Sequence, residues 1–249
     1  MKAPNSLPSM SVATASAEPV RKLSRNPLWA FYQSSIGKKT TVAVTGLLLI
    51  VYVLGHLVGN LQIYWSAERL NIYAQFLHAL GPLLWLIRVG LLAVFIIHVV
   101  ATVQLTLENR RAKPQKYAVP GYLRSTTASR TMIVSGLIVL CFVIYHLLHF
   151  TFEATNPEFH ELHDSAGRHD VYRMVVLGFQ QPLISIFYVL SLFLLTLHLS
   201  HGFASVTQTL GINNRKLEGF ISTGGQTLAW LVFAGYVSIP LSILLGIVR

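Results

Sequence analysis

TTVAVTGLLLIVYVLGHLVGNLQIYWSA, residues 40–67, contains no Asp, Glu, Lys or Arg. At about 1.5 Å of rise per residue, roughly 20 apolar residues in a helix cross the hydrocarbon core of a bilayer. Uncharged stretches recur at 89–107, 131–152, 174–214 and 219–248. The chain of 249 residues is 53% hydrophobic and only 11% charged, with mean hydropathy +0.56. Soluble domains carry about 25% charged residues, more than twice this share, so the chain lacks the charge to wet a soluble surface. The pattern predicts an all-α integral membrane protein with spans at about 41–63, 84–107, 131–153, 181–206 and 226–248.

Charge gives the orientation. Lys+Arg 19 against Asp+Glu 9 gives a formal net charge of +10. Those charges lie in short islands between apolar stretches, a pattern that argues for a bilayer partner and against nucleic acid. With the N-terminus in the cytoplasm, 14 of the 19 basic residues fall on the cytoplasmic side; Arg69, Arg88, Arg168, Arg173 and Arg249 are the five outside. Cytoplasmic loops carry the excess of Lys and Arg, so the N-terminus is expected inside. Residues 1–20, rich in Ser, Ala and Pro and without an apolar run, read as a disordered tail. The basic stretch after it holds Trp29, Phe31 and Tyr32 and reads as interfacial, which makes 1–40 a cytoplasmic disordered and interfacial segment ahead of a transmembrane domain at 41–249. Within 64–83, Leu70, Tyr73, Leu77 and Leu80 recur at helical spacing and predict a short interfacial helix. No repeat of 20–50 residues and no phosphate-binding glycine loop stands out. The single cysteine, Cys141, excludes an intramolecular disulfide, a cysteine zinc site, an iron–sulfur cluster and c-type haem attachment.

Ten histidines remain, and His56, His98, His146 and His198 each lie inside a different one of the first four spans. An ionisable group in hydrocarbon costs a few kcal/mol and calls for a partner. At about 1.5 Å per residue, His56 and His146 both lie roughly 22 Å from the cytoplasmic edge, whereas His98 and His198 lie roughly 12–14 Å from it. The four sort into an outer pair and an inner pair. Two imidazoles from different helices at one depth are the ligand set of a six-coordinate b-type haem, so two pairs predict two haem b groups and electron transfer across the bilayer. The spans then include a haem-binding bundle of the first four helices. H-x-x-H occurs at His146/His149 and at His198/His201. Matched depth favours His146 and His198 as ligands and puts His149 and His201 near a haem propionate, a quinone or water, while the i, i+3 spacing also lets either replace its neighbour as ligand. A tetrahedral zinc site or metal transporter is the competing reading, and the unequal depths oppose it. His160, His163 and His169 read as solvated loop residues. His78, with Tyr73 and Gln75 on the interfacial helix, offers polar groups suited to a quinone headgroup.

HLVGNLQIYW (56–65) with LNIYAQFLHALGPLLWLIR (70–88), and above all HLSHGFASVTQTLG (198–211), resemble the cytochrome b558-type membrane anchors of bacterial succinate dehydrogenases and fumarate reductases. These are single-chain, five-helix, di-haem subunits, and the likeness runs from about Asn26 to the end of the chain. The resemblance implies an outer haem held by His56 and His146 and an inner haem held by His98 and His198. It also implies a flavoprotein and an iron–sulfur subunit docked on the cytoplasmic face of a bacterial plasma membrane. Electrons would reach a membrane quinone, commonly menaquinone in such anchors, near the outer haem. Arg110, Arg111, Lys113, Lys116, Arg124 and Arg130 suit a docking surface, although positive-inside topology alone would place them there. Thr196 stands where some fumarate reductases of this kind carry a glutamate, which favours the succinate-oxidising direction. On this reading the chain is an electron-transfer subunit of a succinate dehydrogenase and holds no dicarboxylate catalytic site of its own. The cytochrome b of another respiratory complex, such as a hydrogenase or formate dehydrogenase, is the alternative, alongside a haem-free anchor.

Overall fold

A computed structural model describes residues 26–112, 132–212 and 218–249. The N-terminal tail and the basic residues Lys113, Lys116, Arg124, Arg130, Arg215 and Lys216 lie outside the described residues. The rest folds as α1 (Pro27–Gln33), α2 (Ser35–Asn60), α3 (Ala67–Ala79), α4 (Pro82–Ala112), α5 (Met132–Phe150), α6 (Val171–Phe179), α7 (Pro182–Thr209) and α8 (Glu218–Leu244). Five of these, α2, α4, α5, α7 and α8, are long and apolar enough to cross a membrane. Among the described residues the β structure is one isolated bridge, between His163 and His169.

The helix ends differ from the sequence expectation where capping groups decide them. α2 begins at Ser35 rather than near 41, because the Ser34 hydroxyl accepts from the Gly37 amide at 2.9 Å. Such an N-cap contributes about 1 kcal/mol. α5 stops at Phe150: the Phe152 amide turns back to Leu147 O and the Ala154 amide to Leu148 O, each at 2.8 Å, with Glu153 at φ 52°. α7 starts on Pro182, whose missing N–H costs nothing in a first turn.

α2 packs against α4 on one side and α7 on the other, and α7 also packs against α5. α8 lies along α7 and α2 and covers their seam, with Leu57, Leu199, Ala229 and Val232 buried between them. The Tyr236 hydroxyl donates to Val53 O at 2.8 Å and fastens α8 to α2. The packing order is thus α4, α2, α7, α5. Large side chains on the outer surfaces, among them Leu86, Val89, Leu92 and Ile96 of α4, are exposed, as a lipid-facing helix requires.

Two polar clamps hold the ends. At the end the charge pattern assigns to the cytoplasm, Lys38 Nζ lies 2.6 Å from Glu108 Oε1 and the Tyr32 hydroxyl donates to Gln104 Oε1 at 2.7 Å, joining α2 and α1 to α4. At the outer end α3 packs on α6. The buried Asn71 donates to Asp170 Oδ1 at 2.9 Å and accepts from the Tyr172 amide at 2.9 Å. The sequence reading anticipated α3 but not α6, which is too short and too close to the following span to stand apart in a hydropathy pattern.

Candidate functional site

The four histidines lie on four different helices: His98 on α4, His56 on α2, His198 on α7 and His146 on α5. On α2 and α5, the His56 and His146 rings stand 5.9 Å apart, nearly perpendicular at 78°. His98 of α4 rests against α2, and His198 of α7 rests against α5. All four rings are half-buried.

The inner histidines are seated by a device that occurs twice. Thr45 Oγ1 of α2 lies 3.1 Å from His98 Nδ1, and Ser135 Oγ of α5 lies 3.5 Å from His198 Nδ1. Thr45 already donates to Thr41 O at 2.7 Å, and Ser135 to Met132 O at 3.0 Å. A hydroxyl has one proton, so each imidazole must donate from Nδ1, which leaves the Nε2 lone pair free. The next residue in each helix is a glycine. A Cβ on Gly46 would stand 3.2 Å from His98 Cε1, and one on Gly136 would stand 3.3 Å from His198 Cε1. The missing side chain lets each ring lie close against the neighbouring helix.

These contacts set the heights. Thr45 to His56 and Ser135 to His146 both span eleven residues, so the outer level stands about 16 Å from the inner one. The depth estimate from span edges made this separation smaller, because it assumed level cytoplasmic ends; α2 and α4 instead extend to Ser35 and Ala112. The order of the levels is unchanged.

The outer histidines have aromatic and amide neighbours. Tyr52 stacks on His56 at 5.5 Å and 10°, and Tyr236 lies 6.1 Å away. The Asn60 side-chain amide donates to His56 O at 2.7 Å and lies 3.3 Å from both ring nitrogens. His146 Nδ1 is met by the Tyr188 hydroxyl at 3.4 Å.

The second histidines part ways. His149 is fully buried, with Nδ1 3.0 Å from the Tyr188 hydroxyl and its ring 3.9 Å from Phe150. His201 is half-buried one turn inward from His198. The three quinone candidates are not gathered at one point. Tyr73 lies against α2, where a Cβ on Gly59 would meet its hydroxyl at 2.9 Å; Gln75 and His78 are exposed on α3. Desolvation first, then the charges of Arg88 and His169, hold His78 below the ordinary histidine range. Of the loop histidines, His160 and His169 face the buried Glu153 carboxylate at 2.9 and 3.4 Å. Thr196 is buried and donates to Leu192 O at 2.8 Å.

Sequence reasoning missed Thr45, Gly46, Ser135, Gly136 and Tyr188. The signal was present at a longer offset than a 20–50 residue repeat. Thr45-Gly46 with His56 recurs as Ser135-Gly136 with His146, and Pro82 with His98 recurs as Pro182 with His198, at the same internal spacings. Among the described residues, no group of three or more His, Cys, Asp or Glu is arranged to hold a metal ion; a bis-imidazole centre needs only two. No protein family, curated protein or solved structure matches the chain. The fold and site define a multi-span, all-α membrane protein with paired histidines at two levels.

Proposed function

We propose that the chain is the membrane-anchor cytochrome b of a succinate:quinone oxidoreductase, with two haem b groups at its two histidine levels. The observations that carry this reading are the close approach of His56 and His146 and the matching seats of His98 and His198, each with Nδ1 against a hydroxyl of the neighbouring helix. Two imidazoles that would hold one metal ion between them must stand close together on different helices. The His56–His146 separation of 5.9 Å fits that requirement.

In this role His56 and His146 hold the outer group, and His98 and His198 the inner one. The haem, when bound, supplies a one-electron ferric/ferrous couple at each level. Thr45 and Ser135 accept from Nδ1 of the inner ligands, which fixes their tautomer and raises their basicity. Gly46 and Gly136 admit the rings, and the apolar walls of α2, α4, α5 and α7 keep water out. The quinone, with menaquinone the expected type, belongs near the outer level, where Tyr73, His78 and Gln75 supply polar groups. The cytoplasmic partners are a flavoprotein and an iron–sulfur subunit, and the setting is a bacterial plasma membrane with the N-terminus inside.

A dithionite-reduced minus oxidised spectrum of the purified chain tests the reading, with b-type bands and two haems per chain expected. His56→Ala and His146→Ala should remove one and the same haem, and His98→Ala and His198→Ala the other. A chain without haem would defeat the proposal. Co-purification with a hydrogenase or formate dehydrogenase instead of a flavoprotein would redirect it.

A further inference from the structure

Tyr188 of α7 has its hydroxyl between two imidazoles of α5, 3.0 Å from His149 Nδ1 and 3.4 Å from His146 Nδ1. The side chain is 3% exposed, and the rings of Phe142, Tyr145, Phe150 and Phe179 surround it at 4.9–6.1 Å. His149 is 0% exposed, so neither residue can exchange its partner for bulk water.

A phenol has one proton to give and lone pairs to accept with, so between two imidazoles it donates to one and accepts from the other. If His146 turns a free Nε2 toward His56, its own proton is on Nδ1 and that N–H donates to the Tyr188 oxygen. The Tyr188 proton then goes to His149 Nδ1. Each bond in such a chain polarises the next, and the chain ends on a buried imidazole rather than in solvent. The inner histidines differ, because their hydroxyl partners end on backbone carbonyls of their own helices.

We propose that Tyr188, locked by His149, is a positioning residue for the outer pair: it fixes the tautomer and tilt of His146 and strengthens it as an electron donor to a bound metal. This rests on the haem reading above. It gives His149 a role acting on His146 through Tyr188, in place of direct ligation. A more basic ligand stabilises the oxidised form of the iron, so the outer midpoint potential sits lower with Tyr188 than without it.

The test is a redox titration of the full chain with its haems, following each midpoint optically and each low-spin ferric signal by electron paramagnetic resonance. Tyr188→Phe should raise the outer midpoint and move the outer ferric signal while the inner haem keeps both. His149→Phe, which keeps Tyr188 but removes its acceptor, should move the outer midpoint in the same direction by less. A Tyr188→Phe chain that binds two haems with the outer midpoint unmoved overturns the proposal, as does an equal shift of both haems. If Tyr188→Phe fails to accumulate, His149→Phe decides alone: an outer-only rise supports the proposal and no change overturns it. A wild-type chain without haem would instead remove the reading on which the proposal stands.

Discussion

His98 Cε1 of α4 lies only 3.2 Å from where a Cβ on Gly46 of α2 would stand, and His198 of α7 meets Gly136 of α5 in the same way at 3.3 Å. At that distance a methyl group forces the imidazole to give by a few tenths of an ångström. Overpacking of this kind costs about 1–3 kcal/mol when the neighbour cannot move freely. Gly46→Ala and Gly136→Ala should therefore weaken or tilt the inner haem and leave the outer one in place. Gly46→Leu should abolish the inner haem. Haem counts and separate redox titration of the two bands check this; loss of the outer haem first would contradict it.

Thr45→Val and Ser135→Ala remove the acceptors for His98 and His198 without changing the bulk of the site much. Groups that accept the N–H of a metal-binding histidine typically contribute roughly 10- to 100-fold in affinity. Each substitution should speed loss of the inner haem to a haem-scavenging protein, and the pair together should do so more strongly. The outer haem serves as the internal control.

At the outer cap, Asn71 is 2% exposed and joins α3 to the start of α6 through Asp170 and the Tyr172 amide. Asn71→Ala takes the acceptor from the Tyr172 amide and one of the donors from Asp170 Oδ1, which keeps the Arg173 amide, and each lost hydrogen bond contributes about 1 kcal/mol. A lower unfolding temperature in detergent, with protease cutting near 160–172 before general unfolding, is the expected result.

The same cap carries a pH dependence with a defined sign. Desolvation opposes ionisation of Asp164, yet hydrogen bonds from the Arg168 and Ala166 amides and the Arg168 guanidinium hold its carboxyl below the usual range. An unfolded aspartate titrates near about 3.9, so this contribution is fully present above that pH. It is lost as pH falls through the lower folded value, where the folded chain must take up a proton. The protection of the Ala166 and Arg168 amides from hydrogen exchange, taken relative to the intrinsic rate at each pH, should hold down to about pH 4 and fall below it. Asp164→Asn should lower that protection and remove the acid transition.

The clamp between Lys38 and Glu108 is lopsided, with side-chain exposures of 6% and 46%. Removing the exposed partner leaves the buried cation only the Gln33 carbonyl, at 3.2 Å, whereas removing the buried one leaves a carboxylate that water can reach. Glu108→Gln should thus destabilise more than Lys38→Met, and the double variant should recover part of the loss. Equal effects in thermal unfolding would show that the ammonium finds another partner.

Much of this arrangement was legible in the sequence because insertion into a bilayer is written in long uncharged runs. The five spans and the sorting of His56, His98, His146 and His198 into two levels need only a rise per residue and a direction of travel. The seats of those rings were not legible. Thr45 and Ser135 look like ordinary small residues in apolar helices, and their importance depends on which helix lies opposite. Gly46 and Gly136 carry no chemical signal until a ring is found against them. His149 shows the same limit: its spacing from His146 puts both near one helix face, and only the position of Tyr188 separates their surroundings. α6 escaped notice because its apolar residues merge with those of α7.

The twofold recurrence of a small-residue seat, an outer histidine, a proline start and an inner histidine has a consequence for how the two halves can diverge. A homodimer built from one such half would be obliged to carry identical side chains on both sides of its axis. A single chain is under no such obligation. Six residues after the proline the first half has Arg88 and the second has Tyr188, a permanent cation at the place where the other half has a neutral hydroxyl. Joining two similar halves in one polypeptide thus makes the outer end electrically lopsided by inheritance, a polarity that no symmetric assembly of the same parts could acquire.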